Sequence, residues 1–547
     1  MTRGQIPETG VVVVGSGAAA LSAALAAHDA GAAVTVVERT DALGGTTAVS
    51  GGGVWMPGNH VTGADDSGED ALAYMAALSR GRAPAEQLAR YVAEGPGIVA
   101  GLEQRSGVRF APIAWPDYHP EMEGARETGR MIEPALYDTS RLGDWAKALR
   151  RPPVLGLPLT LQESTVDWTP SYTPERYDAD EVKRRVRAQQ VACGQALVGG
   201  LLEGCLARGI EPVLGARAAE LIMRDGVVAG LVIERDGLRI DLPTGAVVLA
   251  SGGYEWNGEL CARFLPGPLT HPTSPPGNEG DALLMAMEVG ADLANMNEAW
   301  WYPAGAVPGE EYDGRPLARF IAVERTAPHS IMVDRFGRRF VNEAANYNDM
   351  QKAFFAYDAN DASPRHLPCW VVFDQQYRSR YPVISARPGS PDPDWLLVRD
   401  TIDGLAAAAG IDAAGLRESV QRWNAFVADG RDRDFGRGDS FYDRFHGDPT
   451  AAHPNLGSLE RGPYYALPVH LGAVGTSGGP RIDAHGRVQH VRDRPIPGLY
   501  GAGNAVASPA GPAYFGGGTT IGMALVWGHI AGETAGTEAQ GGAVDSS

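Results

Sequence analysis

The stretch VVVVGSGAAALSAALAAHDAGAAVTVVE, residues 11–38, reads as a strand, a glycine turn, a helix and a second strand. Residues 11–14 form an unbroken apolar run, which is typical of a parallel strand buried on both faces. The alanines at 23, 24, 26 and 27 favour a helix, and VTVVE then restores a strand pattern. This order of elements predicts an α/β fold built on a parallel sheet.

The turn between the first strand and the helix has the residues that a bound dinucleotide requires. Gly15 and Gly17 permit a tight bend and bring backbone amides close to a pyrophosphate, and Ala20 is small enough for the helix to pack on the strand. The N-terminus of the helix favours the phosphate charge. Glu38, about 20 residues further on, can accept hydrogen bonds from both ribose hydroxyls. We therefore predict dinucleotide binding; a glycine-rich turn in an ordinary α/β domain is the alternative.

The composition argues against several classes of function. The chain has 47 lysine and arginine residues and 66 aspartate and glutamate residues, which gives a formal net charge of -19 over 547 residues. Because an acidic surface repels phosphate backbones, we expect no nucleic-acid partner. The 4 cysteines lack CxxC spacing, which indicates neither a disulfide framework nor a metal site. Because the sequence shows no signal segment and no apolar span long enough for a bilayer, we expect a cytoplasmic protein.

Later glycine-rich stretches favour FAD over a nicotinamide cofactor. GGTTAVSGGGVWMPGN (44–59) supplies backbone and hydroxyls for the second phosphate and the flavin ring, and AVVLASGGYEWN (246–257) predicts a buried strand that passes under the adenine side. GLYGAGNAVA (498–507) repeats a strand pattern, so both ends of the chain are expected to form one domain. The predicted cofactor contacts are Gly15, Gly17, Ala18, Ala19, Glu38, Arg39, Gly44, Gly45, Thr46, Thr47, Ser50, Gly52, Gly53, Ala216, Ala250, Ser251, Gly252, Asp281, Gly503, Asn504, Thr519, Thr520 and Ile521.

These motifs, together with NEGDAL at 278–283, resemble the fumarate reductase/succinate dehydrogenase flavoprotein superfamily over nearly the whole chain. The resemblance implies a Rossmann-like FAD-binding domain with an inserted α+β substrate-capping domain. Residues 1–286 and 475–547 would form the two parts of the FAD-binding domain, and residues 287–474 the catalytic domain. Thr46 and Thr47 stand where respiratory members carry a histidine tethered to the flavin, so the resemblance implies non-covalent FAD.

The chain departs from the dicarboxylate enzymes of this superfamily at two places. In those relatives a catalytic arginine follows a phrase like RFVNE; here the phrase spans 339–343, and Tyr347 stands at about the arginine's place. A carboxylate-binding HPT is expected after the helix that begins near Asp281, yet the HPT of this chain (271–273) precedes it. These departures resemble the 3-ketosteroid Δ1-dehydrogenase branch, whose active site is built on tyrosines.

Three segments carry the resemblance to that branch. WPDYHPEMEG contains Tyr118, NEAANYNDM contains Tyr347, and PAYFGGGTTIG contains Tyr514 and Gly518. The resemblance implies that the Tyr514 hydroxyl and the Gly518 amide bind the C3 carbonyl oxygen of a 3-ketosteroid. It also implies that Tyr347 removes a proton from C2, with Tyr118 hydrogen-bonded to it, while a hydride passes from C1 to flavin N5. Phe515 replaces a proline found in many relatives, which bears on substrate preference more than on the reaction.

Elementary chemistry explains why phenols and bare backbone suit this reaction. A hydrogen alpha to a ketone is a far weaker acid than tyrosine, whose reference pKa is about 10, so the developing enolate oxygen must be stabilised. Two fixed donors can do this, each worth roughly 3 kcal/mol. Gly518 lacks a side chain, so a ring can reach its amide. Tyr347 is expected to need a lowered pKa, which Tyr118 supplies by donating to the phenolate.

Other conspicuous residues have simpler interpretations. Tyr254 and Tyr302 are expected to be packing residues, because the chain contains 18 tyrosines and most tyrosines in a protein pack in the core or at its surface. The cluster Trp300-Trp301-Tyr302 is either ordinary core or a wall of the substrate pocket. Three histidines in proline-containing loops are expected to be surface or structural residues: His119, His271 and His470.

The composition of two further segments indicates their character. Residues 134–177 are rich in Pro, Leu and Trp, and they form either a lid that touches a membrane surface or a surface excursion with short helices. The segment EAQGGAVDSS, residues 538–547, is expected to be disordered.

The leading prediction is a FAD-dependent 3-ketosteroid Δ1-dehydrogenase, with a 3-ketosteroid as the small-molecule partner and a quinone or dye-like molecule as the external electron acceptor. A 3-oxosteroid 4-dehydrogenase, a soluble fumarate reductase-like flavoenzyme and a non-catalytic lipid-binding protein are the alternatives. A peripheral membrane contact during collection of a lipid-like substrate is left open.

Overall fold

The computed structural model describes residues 10–63 and 66–544. Its strands are β1 (Val11–Val14), β2 (Val34–Val37), β3 (Val54–Trp55), β4 (Phe110–Pro112), β5 (Met131–Pro134), β6 (Tyr137–Asp138), β7 (Gln190–Val191), β8 (Arg217–Arg224), β9 (Val227–Arg235), β10 (Leu238–Pro243), β11 (Ala246–Leu249), β12 (His271–Pro272), β13 (Leu293–Ala294), β14 (Ala299–Tyr312), β15 (Arg315–Phe320), β16 (Ser330–Asp334), β17 (Tyr357–Asp358), β18 (Ser363–Pro364), β19 (Cys369–Asp374), β20 (Leu397–Arg399), β21 (Tyr464–Thr476), β22 (Gly479–Pro480), β23 (Arg487–His490) and β24 (Arg494–Gly501).

The α-helices are α1 (Ala18–Asp29), α2 (Gly45–Val49), α3 (Gly68–Ser79), α4 (Ala85–Arg105), α5 (Ala179–Arg187), α6 (Cys193–Ala207), α7 (Gly258–Phe264), α8 (Asp281–Glu288), α9 (Val323–Thr326), α10 (Tyr347–Lys352), α11 (Gln375–Arg380), α12 (Ile402–Ala409), α13 (Ala413–Asp429), α14 (Phe441–Phe445) and α15 (Thr519–Val544).

A five-stranded sheet in the order β2-β1-β11-β24-β23 forms the first layer. The strands β2, β1, β11 and β24 run parallel, as the apolar runs of the sequence predict, and only the edge strand β23 is antiparallel. Residues 11–13 are fully buried in β1, and the helices α1 and α15 contact this strand. Because the parallel strands point the same way, their carboxyl ends form one edge, which is where such sheets bind ligands.

The closing helix α15 packs along α1, which brings the C-terminal part of the chain against the N-terminal part. Glycines make this close approach possible, because a Cβ at three positions of α15 would overlap the backbone of α1. These positions are Gly528, Gly532 and Gly536, which face Ala19, Ala23 and Ala27. The prediction of disorder from residue 538 is wrong for the described part, since the helix continues to Val544.

A second large sheet carries the rest of the core, in the order β15-β14-β21-β19-β16 with β12 and β20 paired to β21. Its five main strands lie within residues 299–476, and the fold class expected from the sequence is confirmed. The boundaries at 287 and 474 stay predictions; β12, at 271–272, joins this sheet from before the first of them. Within the described residues no helix combines the length and hydropathy needed to cross a bilayer.

The segment 134–177 has little regular structure. It contains 3-10 turns at Thr139–Ala148 and Pro174–Arg176 and a short π-helix at Glu163–Asp167. Pro153, Val154, Leu155 and Leu161 line the main cavity, so this segment forms part of a wall. Val154 and the nearby Leu157 are each 53% exposed, which gives the outer side of that wall an apolar surface.

Candidate active site

A cavity of about 730 Å³ runs from the carboxyl edge of the first sheet into the space under the second sheet. The turn after β1 and the end of β2 line one part of it, and α10, α14 and the loop before α15 line the other. The cavity therefore brings the predicted nucleotide motif and the predicted tyrosines to a single site.

At the first end, the glycine turn has the conformation that the motif predicts. Gly15 has φ 110°, and a Cβ there would lie 2.5 Å from the carbonyl oxygen of Ala250, so only glycine fits. The N-terminus of α1 follows at Ala18 and faces the cavity. Glu38 directly follows β2, and its carboxylate accepts from Ser16 Oγ at 2.6 Å, from Thr40 N at 2.9 Å and from Thr40 Oγ1 at 3.0 Å. Its remaining lone pairs are available to a ligand.

At the second end, Tyr118, Tyr347 and Tyr514 form a compact cluster, which we call the tyrosine trio. The Tyr118 hydroxyl donates to the Tyr347 hydroxyl at 2.5 Å. The ring centroid of Tyr514 lies 5.0 Å from that of Tyr118 and 5.7 Å from that of Tyr347. All three side chains line the cavity.

Local structure explains how three distant segments converge. Asp117 pairs with Gly516, and the amide of Tyr118 donates to the carbonyl of Phe515 at 2.9 Å, which ties the first loop to the last. Tyr347 is the first residue of α10, whose N-cap Asn346 accepts from the amide of Asp349. The first turn of a helix holds its side chains in a fixed direction, so the base candidate is rigidly placed.

Gly518 completes this end of the site. It has φ 88°, and a Cβ there would overlap the backbone of Gly53, so the position requires glycine. Its carbonyl accepts from Trp55 N, while its own amide N–H has no acceptor among the described residues. Gly518 lines the cavity beside Tyr514, and together they offer an O–H and an N–H to one acceptor.

The expected low pKa of Tyr347 is not what the structure shows, and this is a correction. Burial raises the pKa of Tyr347 well above 10, and the neighbouring Tyr514 adds to the rise. The hydrogen bond from Tyr118 lowers the pKa, as expected, but offsets only part of the effect of burial. Tyr347 is therefore a neutral phenol at pH 7 before a ligand enters.

Comparison with known proteins decides the family. The FAD binding domain family matches residues 10–521. The chain belongs to this FAD-binding family. It is 42% identical to a 4-oxocyclohexanecarboxylate 2-dehydrogenase of Sinomonas cyclohexanicum, covering 97% of this chain and 93% of the relative. It is 34% identical to a 3-oxosteroid 1-dehydrogenase of Mycolicibacterium smegmatis, covering 96% of each.

A solved structure agrees with these relatives. The 3-ketosteroid Δ1-dehydrogenase of Sterolibacterium denitrificans, in complex with 1,4-androstadiene-3,17-dione, superposes with a TM-score of 0.91 at 35% identity. The match covers 97% of this chain and 100% of that chain. The protein is a FAD-dependent dehydrogenase of the 3-oxosteroid dehydrogenase type that acts on CH–CH groups, and FAD is its cofactor.

The first end of the cavity fits FAD. Gly45 has φ 47° and nothing within 4 Å of a Cβ position, so the backbone is open toward the cavity at the place predicted for phosphate. Thr47 Oγ1 accepts from the amide of Ala18 at 3.0 Å and joins the two glycine-rich loops. These residues would hold the pyrophosphate, with Glu38 at the ribose.

The structure places the predicted cofactor residues at this cavity with two exceptions. Gly44 does not line it; this left-handed residue caps α2 and packs against Ala48. Thr519 does not line it either, because its hydroxyl accepts from the amides of Phe515 and Gly516 and donates to the carbonyl of Gly516. Asp281 lines the cavity, with its carboxylate paired to Arg39 and Arg217.

Several aromatic and histidine residues outside the tyrosine trio pack in the core or stack on each other. Tyr254 and Tyr302 are buried packing residues, as expected. Trp300-Trp301-Tyr302 belongs to the core: these residues do not line the cavity, and Trp300 lies behind Tyr514 with its ring edge-on at 5.1 Å. His271 stacks on His470 at 4.0 Å.

His119 has a structural role close to the site. It lies next to Tyr118, and its Nε2 is 2.7 Å from a carboxylate oxygen of Asp349 in α10. Burial alone lowers the pKa of His119, but its bonds to Asp349 and Glu121 outweigh burial and raise it to about 9. The resulting ion pair connects the loop that carries Tyr118 with the helix that carries Tyr347.

Sequence reasoning missed four cavity residues next to the trio. One lies in the loop that also carries Tyr118, one in the short helix α9, and two at α14 and its C-terminal end, and the sequence patterns assigned no role to any of them. They are Trp115, Arg325, Tyr442 and His446.

Proposed function

We propose that the protein desaturates the carbon–carbon bond next to the carbonyl of a six-membered ring ketone. The observation that carries this proposal is the tyrosine trio with the amide of Gly518 at one wall of the FAD cavity. Two uncharged donors and a hydrogen-bonded pair of phenols suit a ketone oxygen and its alpha proton. A dicarboxylate reaction needs cationic donors at the same place.

In this reaction the Tyr514 hydroxyl and the Gly518 amide donate to the ketone oxygen. The charge that develops on that oxygen is stabilised, so the alpha hydrogen becomes acidic enough for the phenolate form of Tyr347 to accept it. Because Tyr347 is a neutral phenol at pH 7, it must first lose its own proton to solvent. Tyr118 donates to Tyr347 and stabilises the phenolate that takes the proton. Bound FAD supplies the two-electron chemistry by accepting the hydride from the beta carbon. The C–C bond then becomes a double bond. The substrate has lost one proton to Tyr347 and one hydride to FAD, so its own charge is unchanged.

The same geometry serves two classes of ring ketone. In a 3-oxosteroid the bond is C1–C2, as the resemblance to Δ1-dehydrogenases implies. In 4-oxocyclohexanecarboxylate, ring position 3 is alpha and position 2 is beta to the ketone, so the bond that reacts is equivalent. We propose that a quinone or dye-like acceptor then reoxidises the flavin.

Anaerobic mixing of the holoenzyme with each ketone tests this function. We expect bleaching of the oxidised flavin and, by mass spectrometry, loss of two hydrogens from the ring next to the carbonyl. Substrates saturated or unsaturated at C4–C5 distinguish a Δ1 from a Δ4 product. If fumarate reoxidises the reduced flavin and no ring ketone bleaches the oxidised form, the proposal is wrong.

A further inference from the structure

One arginine in the cavity wall forms no ion pair with a carboxylate among the described residues. Arg325, in α9, is 2% exposed and lines the cavity. Its Nε and Nη1 donate to the backbone carbonyls of Ile321, Glu343 and Ala345. Its Nη2 donates to no carbonyl or carboxylate among the described residues.

The other arginines that line the cavity differ from Arg325 in this respect. Arg39 pairs with Glu279 and Asp281, Arg150 with Asp313, and Arg319 with Glu310. Arg325 has no carboxylate within 4.0 Å among the described residues, and the buried carboxylates of Asp443 and Glu324 act on it only from a longer distance. A buried cation without a close ion pair is unfavourable, so an anionic group of a ligand in the cavity would be stabilised beside this guanidinium.

Further donors surround this guanidinium. The Nε1–H of Trp115 and Nε2 of His446 are buried and have no hydrogen-bond partner in the part of the chain that the structure describes. Burial and the charge of Arg325 lower the pKa of His446 to about 3, so its imidazole is neutral and can present an N–H. Tyr442 adds a hydroxyl on which the charge of Arg325 acts. We call Trp115, Arg325, Tyr442 and His446 the donor cluster.

The donor cluster lies directly beside the tyrosine trio. The ring of Tyr442 is 5.3 Å from that of Tyr118 and 4.3 Å from that of His446, and the ring of Trp115 is 5.0 Å from that of His446. Arg325 interacts electrostatically with both Tyr118 and Tyr347. A six-membered ring ketone whose oxygen is bound by Tyr514 and Gly518 would therefore extend toward the donor cluster with the opposite end of its ring.

We propose that the donor cluster binds the carboxylate of the substrate, and that the substrate is an anionic monocyclic ketone. This inference rests on the proposed function and narrows its substrate class. A carboxylate opposite the ketone satisfies the guanidinium and the orphaned N–H donors at once. The first ring of a steroid continues into further apolar rings at that position, which would leave the charge of Arg325 buried without a partner.

The first test compares ligands on the unaltered holoenzyme. We expect kcat/KM for 4-oxocyclohexanecarboxylate to exceed that for its carboxamide by about tenfold to a hundredfold, because a charged hydrogen bond becomes a neutral one. Cyclohexanecarboxylate, which has no ketone, should bind as a competitive inhibitor that perturbs the flavin absorbance. Cyclohexanecarboxamide should bind at least about tenfold more weakly.

The second test uses variants. Arg325→Gln removes the charge, and Trp115→Phe removes only one N–H donor. We expect each to raise KM for the carboxylate ketone, the first by about a hundredfold and the second by about tenfold, with less than about threefold change for the carboxamide. Tyr302→Phe, a buried tyrosine outside the cavity lining, is the matched control and should leave both KM values unchanged. If Arg325→Gln does not fold, Trp115→Phe and the ligand comparison decide.

The outcomes separate the two proposals. If no ring ketone bleaches the flavin, the proposed function fails. If ring ketones bleach the flavin but the carboxylate, the carboxamide and a 3-oxosteroid react with similar kcat/KM, the carboxylate site is wrong and the proposed function stands. A charge preference that Trp115→Phe and Arg325→Gln do not reduce also overturns the assignment of the donor cluster.

Discussion

The hydroxyl of Tyr118 lies 2.5 Å from that of Tyr347, although 229 positions separate the two residues in the chain. Tyr118 donates, and the Tyr347 hydroxyl that accepts this bond also lines the cavity, where a substrate proton would arrive. The bond lowers the pKa of Tyr347, against the stronger effect of burial. The pair therefore stabilises the phenolate form of Tyr347, which is the form that can accept a proton from the substrate.

Replacement of the base candidate is the first prediction. Tyr347→Phe removes the hydroxyl that accepts the proton, so we expect a loss of about 10²- to 10⁴-fold in the rate of flavin bleaching. Binding of the ketone, followed by the shift in flavin absorbance, should persist because Tyr514 and Gly518 are intact. Tyr302→Phe is the control and should bleach at the normal rate. Normal turnover by Tyr347→Phe would remove the base assignment.

The dependence of the rate on pH follows from the raised pKa of Tyr347. Because the pKa lies well above 10, the ionised fraction grows with pH throughout the neutral and mildly alkaline range. We expect kcat to rise close to tenfold for each unit between about pH 7 and about pH 9, without a plateau. Stopped-flow bleaching under anaerobic conditions measures this profile.

Tyr118→Phe provides the matching variant for the pH profile. Without the donor, the pKa of Tyr347 rises further, so the whole profile should shift to lower rates at each pH. A plateau well below pH 9 in the unaltered protein, or an unchanged profile in the variant, would contradict this account.

The amide of Gly518 can be tested through its backbone. At φ 88°, Gly518→Ala introduces a Cβ that overlaps Gly53, so the loop must shift away from the cavity. We expect a loss of about 10²- to 10³-fold in kcat/KM, as for removal of one oxyanion donor. Gly97→Ala is the control, since a Cβ there meets nothing within 4 Å in helix α4. The control should keep full activity and gain slightly in thermal stability.

The ion pair between His119 and Asp349 predicts how stability changes with pH. The folded pKa of His119, about 9, lies above the unfolded value of 6.5. Its contribution to the free energy of unfolding is therefore complete below about pH 6.5 and is lost as the pH rises through about 9. We expect the difference in Tm between the native protein and His119→Gln to shrink over this interval. A difference that grows toward alkaline pH would show that the ion pair has been assigned the wrong sign.

Local sequence was sufficient where a single segment determines the structure. The strand, turn and helix from 11 to 29 follow from apolar runs and glycines, and Gly15 adopts the positive φ that its position in the motif requires. The resemblance located Tyr118, Tyr347 and Tyr514, and the structure brings all three to one wall.

Properties that depend on the folded surroundings could not be predicted in this way. The net pKa of Tyr347 depends on how deeply the protein buries it, which no spacing in the sequence reports. Arg325 resembles any other arginine in the sequence until the structure shows that, among the described residues, its guanidinium forms no close ion pair, whereas the other arginines of the cavity do. The helix α15 continues through residues 538–544, although the composition of this segment favoured disorder.

The packing of α15 on α1 also constrains the order of events on the ribosome. The turn after β1 is translated first, yet the helix that covers α1 follows some 500 residues later, about 25 to 100 s at ordinary elongation speeds. All strands of the second sheet leave the ribosome before that helix does. The face of α1 that Gly528, Gly532 and Gly536 approach therefore gains this partner only at the end of translation.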